Sequence, residues 1–287
     1  MQLKNQKHLI SKFTFFRKKL ICNYKPEEAE KLVYILFEDL LGIKRNEIFI
    51  RDEELTAEQI RIINEATDLL LKNMPIQYIT HNAFFYDRSY YVDEHVLIPR
   101  QETEELVKII CDEYMNKSPR ILDIGTGCGC IAISLKANIP ASEVTAVDIH
   151  TSVLKVAEKN AGQMAIKFQK LNILSEKSWK AIAGQYHIIV SNPPYIPESE
   201  KVSMDKNVIE YEPHSALFVP DNDSLLFYRK IADFGLDRLI SNGQLFFEIH
   251  EKKSKEIREL LEDYKYENVI IYKDINGNDR MVSAKRL

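Results

Sequence analysis

Five consecutive residues, Ser191-Asn192-Pro193-Pro194-Tyr195, combine hydrogen-bond acceptors with a stiff backbone. Proline has a fixed φ and no N–H, so the carbonyls of this stretch stay free to accept. Asn192 adds a side-chain carbonyl. A planar –NH2 group carries two hydrogens, and Asn192 Oδ1 with the Pro193 carbonyl can hold both, while Tyr195 is expected to stack on the plane. The nitrogen of such a group is a poor nucleophile because its lone pair is delocalised. Polarising both N–H bonds returns density to nitrogen and aims it. Against an electrophile that is already activated, alignment supplies much of the rate. The plainer reading is a proline-rich turn that only closes the strand Ile188 to Val190.

A second segment supplies a place for that electrophile. Ile121-Leu122-Asp123-Ile124-Gly125-Thr126-Gly127-Cys128-Gly129 runs from a strand into a helix. Its glycines let the backbone turn tightly and approach a ligand, and the helix start offers N–H groups to a carboxylate. Dinucleotide turns put their third glycine five residues after the first. Here Gly129 falls four residues after Gly125. That spacing disfavours a nicotinamide oxidoreductase and favours S-adenosylmethionine, which has no pyrophosphate and carries its methyl on an electrophilic sulfonium. Asp123 is expected to meet the methionine ammonium. Asp148, about 20 positions past the turn, suits the ribose hydroxyls, with Ile149 packing on adenine. The alternative for Asp148 is a cap on the helix that follows through Thr151.

Both loops need elements that bring them to one cavity. Residues 1–75 read as a small helical domain: Leu32, Ile35, Leu36, Leu40 and Leu41 recur at helical intervals after Pro26, and Leu55, Ile60, Ile63 and Leu69 to Leu71 continue the pattern. Residues 76–100, rich in aromatic and β-branched side chains such as Tyr78, Phe84, Phe85, Tyr90 and Val92, predict a β-hairpin linker turning at Asp87-Arg88-Ser89. Thr103 is placed to open a helix through Tyr114. Over 101–287, strands at Ile121–Ile124, Val144–Val147, Ile188–Val190, Leu245–Ile249 and Val269–Tyr272 alternate with helices. That order predicts an α/β, open, doubly wound sheet with its ligands at the carboxyl ends of the strands. Met281-Val282-Ser283 is expected to return as an antiparallel edge strand.

A formal net charge of -4 points away from a strong non-specific nucleic-acid binder. Lys4, Lys7, Lys12, Arg17, Lys18 and Lys19 interrupt every apolar run of the first twenty residues, so no signal-peptide core is expected. No apolar stretch nears the ~20 residues of a membrane helix. Cys22, Cys111, Cys128 and Cys130 fit free thiols in a reducing cytoplasm. His8, His81, His95, His150, His187, His214 and His250 are dispersed, and no metal is expected. A cytoplasmic monomer without membrane or direct nucleic-acid contact follows as the expectation.

The chain resembles the protein-(glutamine-N5) methyltransferases that act on peptide-chain release factors. The likeness runs from about Pro75 to the end. It is carried by Pro75-Ile76-Gln77-Tyr78-Ile79, by Val96 to Arg100 with Glu102-Thr103-Glu104, and by the glycine turn. Ile189 to Pro197, Glu212-Pro213, Phe227-Tyr228-Arg229 and Asp279-Arg280 complete it. The resemblance implies a Rossmann-like, seven-stranded methyltransferase sheet and a substrate-docking role for the helical domain. It implies a cofactor site at Gly125, Thr126, Gly127, Cys128, Gly129, Asp148, Ile149, Asn172, Ile173 and Asn192, with S-adenosyl-L-homocysteine as product. It also implies a Gly-Gly-Gln loop of the release factor set against Asn192, Pro193, Pro194 and Tyr195, with the Leu97 to Glu104 loop beside that pocket. Departures from the family pattern stand at His81, Asp87, Gln101, Asn172, His250 and Lys253. The rival readings are an amino-group methyltransferase of DNA adenine or RNA, which the same acceptors suit, and a non-catalytic docking protein, which the intact tetrapeptide disfavours.

Overall fold

The computed structural model describes residues 9–51 and 53–287, so Lys4, Lys7 and His8 lie outside the described residues. Two compact units are present. One is formed by the chain up to Asn82 together with Asp205–Tyr211, the other by Ala83–Met204 and Glu212–Leu287. No described helix is long and apolar enough to cross a membrane.

The first unit is built from α1 (Leu9–Leu20), α2 (Pro26–Leu41), α3 (Glu47–Ile50), α4 (Ala57–Leu70) and α5 (Ile76–Thr80). Pro26 sits in the first turn of α2, where a missing N–H costs nothing, and Gly42 ends that helix in the left-handed conformation at φ 68°. A reciprocal capping box between Thr56 and Gln59 starts α4. Leu9, Phe16, Val33, Leu36, Phe37 and Ile63 are fully buried in its core.

Part of the segment predicted as hairpin is helical instead. Pro75 precedes α5, and His81 stops it at φ 53°. Only β1 (Ala83–Phe85) and β2 (Arg88–Tyr90) then pair, across a turn in which Tyr86 and Asp87 are both left-handed. Positive φ at two adjacent turn residues matches the twist of a tight hairpin. The division between units falls at Asn82/Ala83 rather than at 75 and 100, because Phe85 and Tyr90 are buried in the core of the sheet unit.

The second unit continues with α6 (Gln101–Tyr114), β3 (Arg120–Ile124), α7 (Cys130–Asn138), β4 (Glu143–Asp148), α8 (Thr151–Ala161) and β5 (Ile166–Lys170). After α9 (Glu176–Trp179) and β6 (Tyr186–Ser191), the short strands β7 (Ile196–Pro197) and β8 (Phe218–Val219) form a separate pair. Between them lies α10 (Lys206–Tyr211), which belongs to the helical unit and is held there by Tyr211 Oη donating to the Lys72 carbonyl at 2.7 Å. The chain ends with α11 (Leu226–Arg238), β9 (Leu239–Glu248), α12 (Ser254–Asp263), β10 (Tyr266–Lys273) and β11 (Asp279–Arg286).

Seven strands make one sheet in the order β10-β11-β9-β6-β3-β4-β5, all parallel except β11. This is the predicted α/β, Rossmann-like methyltransferase sheet. Two details differ from expectation. The last strand is antiparallel but not at the edge: Met281 to Ala284 are all buried, so β11 lies inside and the half-exposed β10 takes the rim. Meanwhile α6 starts at Gln101, and Thr103 sits within its first turn without capping it. Strand order reverses between β3 and β6, and the loops after those two strands carry the glycine turn and the tetrapeptide.

Gly235 lets α11 lie close to the sheet. A Cβ there would stand 2.4 Å from Tyr266 Oη, which donates to the Ala232 carbonyl at 2.8 Å. Gly235→Ala is therefore expected to destabilise by about 1–3 kcal/mol despite alanine's better helix propensity. The cost should shrink when Tyr266→Phe is also present. Denaturant unfolding of the single and double variants measures this, and a gain in stability from Gly235→Ala alone would contradict the packing.

Candidate active site

β6 delivers the tetrapeptide. Its last residue, Ser191, is fully buried and donates from Oγ to the Ile124 carbonyl at 2.6 Å, which ties the end of β6 to the end of β3. Asn192 follows, with Nδ2 donating to Thr103 Oγ1 at 3.3 Å. Thr103 Oγ1 in turn donates to Glu248 Oε2 at 2.5 Å, and Tyr195 Oη donates to Glu248 Oε1 at 3.0 Å. The Glu248 backbone carbonyl accepts from Tyr228 Oη at 3.0 Å. Asn192 Oδ1 and the Pro193 carbonyl accept from no group among the described residues. Two neighbouring residues thus each keep an unused acceptor.

Glu248 is buried, and desolvation raises its pKa, while the Thr103 and Tyr195 hydroxyls and the charge of Arg280 oppose that rise. The Tyr195 phenol is pushed well up, first by burial and then by the Glu248 charge. Tyr195 does not line the cavity, contrary to the expectation that it stacks on substrate. Its hydroxyl is drawn to Glu248, and its ring meets His250 edge-on with centroids 6.0 Å apart. His250 lies off the cavity as well, with Nε2 3.2 Å from Glu200 Oε2.

The cavity itself encloses about 250 Å³ at the carboxyl ends of β3, β4 and β6. Gly125, Thr126, Gly127 and Cys128 form one wall, Asp148, Ile149, Asn172 and Ile173 another. Asn192, Pro193, Pro194 and Leu97 line the same cavity. Gly125 and Gly127 are left-handed at φ 75° and 55°, with nothing within 4 Å of where a Cβ would stand. Gly129 is left-handed too but does not reach the cavity; its Cβ position lies 3.0 Å from Ile133 Cδ1 and 3.2 Å from Ala157 Cβ, so it serves helix packing.

Asp148 accepts from the backbone N–H of Gly127 at 3.3 Å and of His150 at 3.1 Å, linking β4 to the glycine turn. Burial raises its pKa. It also touches the start of α8, because His150 is the N-cap residue of that helix and makes no side-chain cap of its own. Asn172 Oδ1 accepts from Leu174 N at 3.0 Å. These features suit S-adenosylmethionine: a backbone cradle a Cβ would fill, an acidic side chain for two hydroxyls, and apolar Ile149 and Ile173 for a ring.

Arg100 and Thr103 belong to the Leu97 to Glu104 loop that the resemblance sets beside the pocket, whereas Phe227, Ile231 and Glu248 carry no site role in the sequence reading. Arg100 lines the cavity and donates to Glu212 Oε1 at 2.7 Å, while Glu212 Oε2 accepts from Ile98 N at 3.1 Å. That bidentate clamp holds the loop bearing Leu97. Thr103, Phe227 and Ile231 also line the wall. An acidic residue closing the apolar run of β9, Leu245-Phe246-Phe247-Glu248, was the available signal for Glu248.

Asp123 departs most from its expected role. It is fully buried, lies off the cavity, and accepts from Thr126 Oγ1 at 2.6 Å. Burial raises its pKa from 3.8 to about 7. The native state therefore holds this proton more tightly than the unfolded state. The contribution to stability is complete below pH 3.8 and is lost as pH rises through about 7. Asp123→Asn should gain stability relative to the parent as pH rises, by a few kcal/mol between pH 4 and 8. Denaturant midpoints across that range test it, and a pH-independent difference would contradict a buried acid.

Residues 102–214 match the family model for the methyltransferase small domain, and residues 17–80 match that for the PrmC N-terminal domain. The release factor glutamine methyltransferase of Flavobacterium psychrophilum is 45% identical over 279 residues, spanning 94% of this chain and 96% of the relative. That of Bacteroides thetaiotaomicron is 41% identical over 275 residues, spanning 95% and 98%. In fold, a methyltransferase from Pyrococcus furiosus is similar, with a TM-score of 0.50 and 18% identity over 68% of this chain and 87% of that one. With near-complete coverage at this identity, the chain belongs to the release factor glutamine methyltransferase family and is an S-adenosylmethionine-dependent protein-glutamine methyltransferase.

Proposed function

We propose that the chain transfers a methyl group to the side-chain amide nitrogen of the glutamine in the Gly-Gly-Gln loop of peptide-chain release factors. The observation that carries this reading is that Asn192 and Pro193, whose Oδ1 and carbonyl accept from no described group, line the same cavity as the glycine turn. S-adenosylmethionine supplies the electrophilic methyl. Asn192 and Pro193 each take one N–H of the amide, which fixes its plane and raises density on nitrogen. Pro194 and Leu97 bound the space beside it. Gly125, Thr126, Gly127 and Cys128 cradle the amino-acid end of the cofactor, Asp148 takes the ribose hydroxyls, and Ile149, Asn172 and Ile173 border the adenine. Gly129 contributes by packing α7, and Tyr195 by anchoring the tetrapeptide.

The helical unit is assigned the docking of the release factor's body. Phe49 and Ile50 on α3 support this, since both are large, apolar and more than half exposed. An apolar surface of that kind suits protein contact better than water.

The test offers labelled S-adenosylmethionine with unmethylated release factor, a Gly-Gly-Gln peptide and unmethylated DNA. Mass spectrometry then locates the label. Label is expected on the glutamine and should fall about 100-fold or more in Asn192→Ala, as when a fixed polar partner of the reacting group is removed. Label on DNA would contradict the reading. In the same assay Ile50→Asp should raise KM for whole release factor and leave the peptide unchanged, whereas equal effects on both would contradict the docking role.

A further inference from the structure

Asn192 has two chemically opposite ends, and methylation of an –NH2 group requires the right one to face the cavity. Nothing local decides which. An asparagine after a strand can rotate its amide by half a turn with little change in shape.

We propose that Glu248 is a positioning residue that, through the Thr103 hydroxyl, holds the Asn192 amide with its oxygen toward the substrate. The proposal rests on the reading above, in which Asn192 accepts from the target amide. A threonine hydroxyl has one proton to give. Glu248 Oε2 accepts from Thr103 Oγ1 at 2.5 Å, and that contact uses the proton. Only lone pairs then remain on Thr103 Oγ1 for Asn192, and a lone pair can be met only by an N–H. The 3.3 Å contact is therefore made by Nδ2, which leaves Oδ1 for the cavity.

The other oxygen of Glu248 makes the relay one-directional. Tyr195 Oη donates to Oε1 at 3.0 Å, so both carboxylate oxygens are occupied by donors. Thr103 and Glu248 are 2% and 1% exposed, so both contacts are largely shielded from bulk solvent. One carboxylate thus sets both Asn192 and Tyr195, the two ends of the tetrapeptide. Their carrier elements are fixed relative to each other by the sheet, since Ser191 on β6 pairs in parallel with Phe247 on β9. With the amide turned over, Asn192 would present N–H groups to the N–H groups of the target, and that pairing repels.

The experiment measures kcat and KM for a Gly-Gly-Gln peptide, and the Kd for S-adenosylmethionine by calorimetry. The proteins are the parent, Thr103→Val, Thr103→Ser, Glu248→Gln and Asn192→Ala. Thr103→Val keeps the shape and deletes the relay. Its kcat should fall roughly 10- to 100-fold, as for a misaligned reactant, with the cofactor Kd within about twofold of the parent. Thr103→Ser, which restores the hydroxyl, should recover most of the rate. Glu248→Gln, which offers Thr103 a donor, should lower kcat in the same way. Parent-like turnover in Thr103→Val would overturn the proposal, as would a Thr103→Ser variant just as impaired. Cofactor affinity falling in step with turnover would also overturn it, because packing alone then explains the loss. Activity retained in Asn192→Ala would remove the underlying reading itself; activity lost there but kept in Thr103→Val would remove only the relay.

Discussion

A carboxylate buried at the end of a central strand must be surrounded by donors, and that requirement organises the active end of this molecule. Glu248 is 1% exposed, and an unpaired charge at such a depth is very costly. Its donors come from α6, through Thr103, and from the loop after β6, through Tyr195. Meeting the demand of one side chain therefore ties three separate elements together. The tetrapeptide gains a rigidity that its prolines alone do not supply, because they fix φ but leave the Asn192 side chain free to turn.

The parallel sheet supplies the complementary half of the design. Neighbouring strands β3 and β6 run the same way, so their following loops emerge on one side, and the Ser191 hydroxyl locks those strand ends together. Left-handed glycines let the loop after β3 hug a ligand, and Asp148 binds that loop from the end of β4. On the proposed reading, methyl donor and acceptor are thereby presented from adjacent strands. Charge plays a small part: the transferring group is already activated, and the chain's task is to hold a weak nucleophile in line.

The legible parts of the site were those written in consecutive residues. The tetrapeptide and the glycine turn declare themselves because prolines, glycines and an amide act on the backbone next to them. The sheet was legible from its apolar runs, with one omission. β5 alternates Ile166 and Phe168 with Lys167, Gln169 and Lys170 at the rim, so no continuous apolar run marks it. The partners of Glu248 lie 145 and 53 residues away, and no local pattern carries such a pairing. Asp123 and Tyr195 were misplaced for the same reason. Their types suggested an ion pair and a stacking platform, yet burial made one a raised-pKa acid and the other an anchor. His81 and Asp87 show the converse: both adopt left-handed angles without being glycine, so turn geometry survives a loss of the usual residue.

In the proposed reaction, two fixed acceptors hold both N–H bonds of the target amide. A crystal structure of the chain with S-adenosyl-L-homocysteine and a Gly-Gly-Gln peptide tests it most directly. The glutamine nitrogen is expected within about 2.7–3.2 Å of both Asn192 Oδ1 and the Pro193 carbonyl. A nitrogen held by a carboxylate instead, or facing an Asn192 turned away from Thr103, would contradict it.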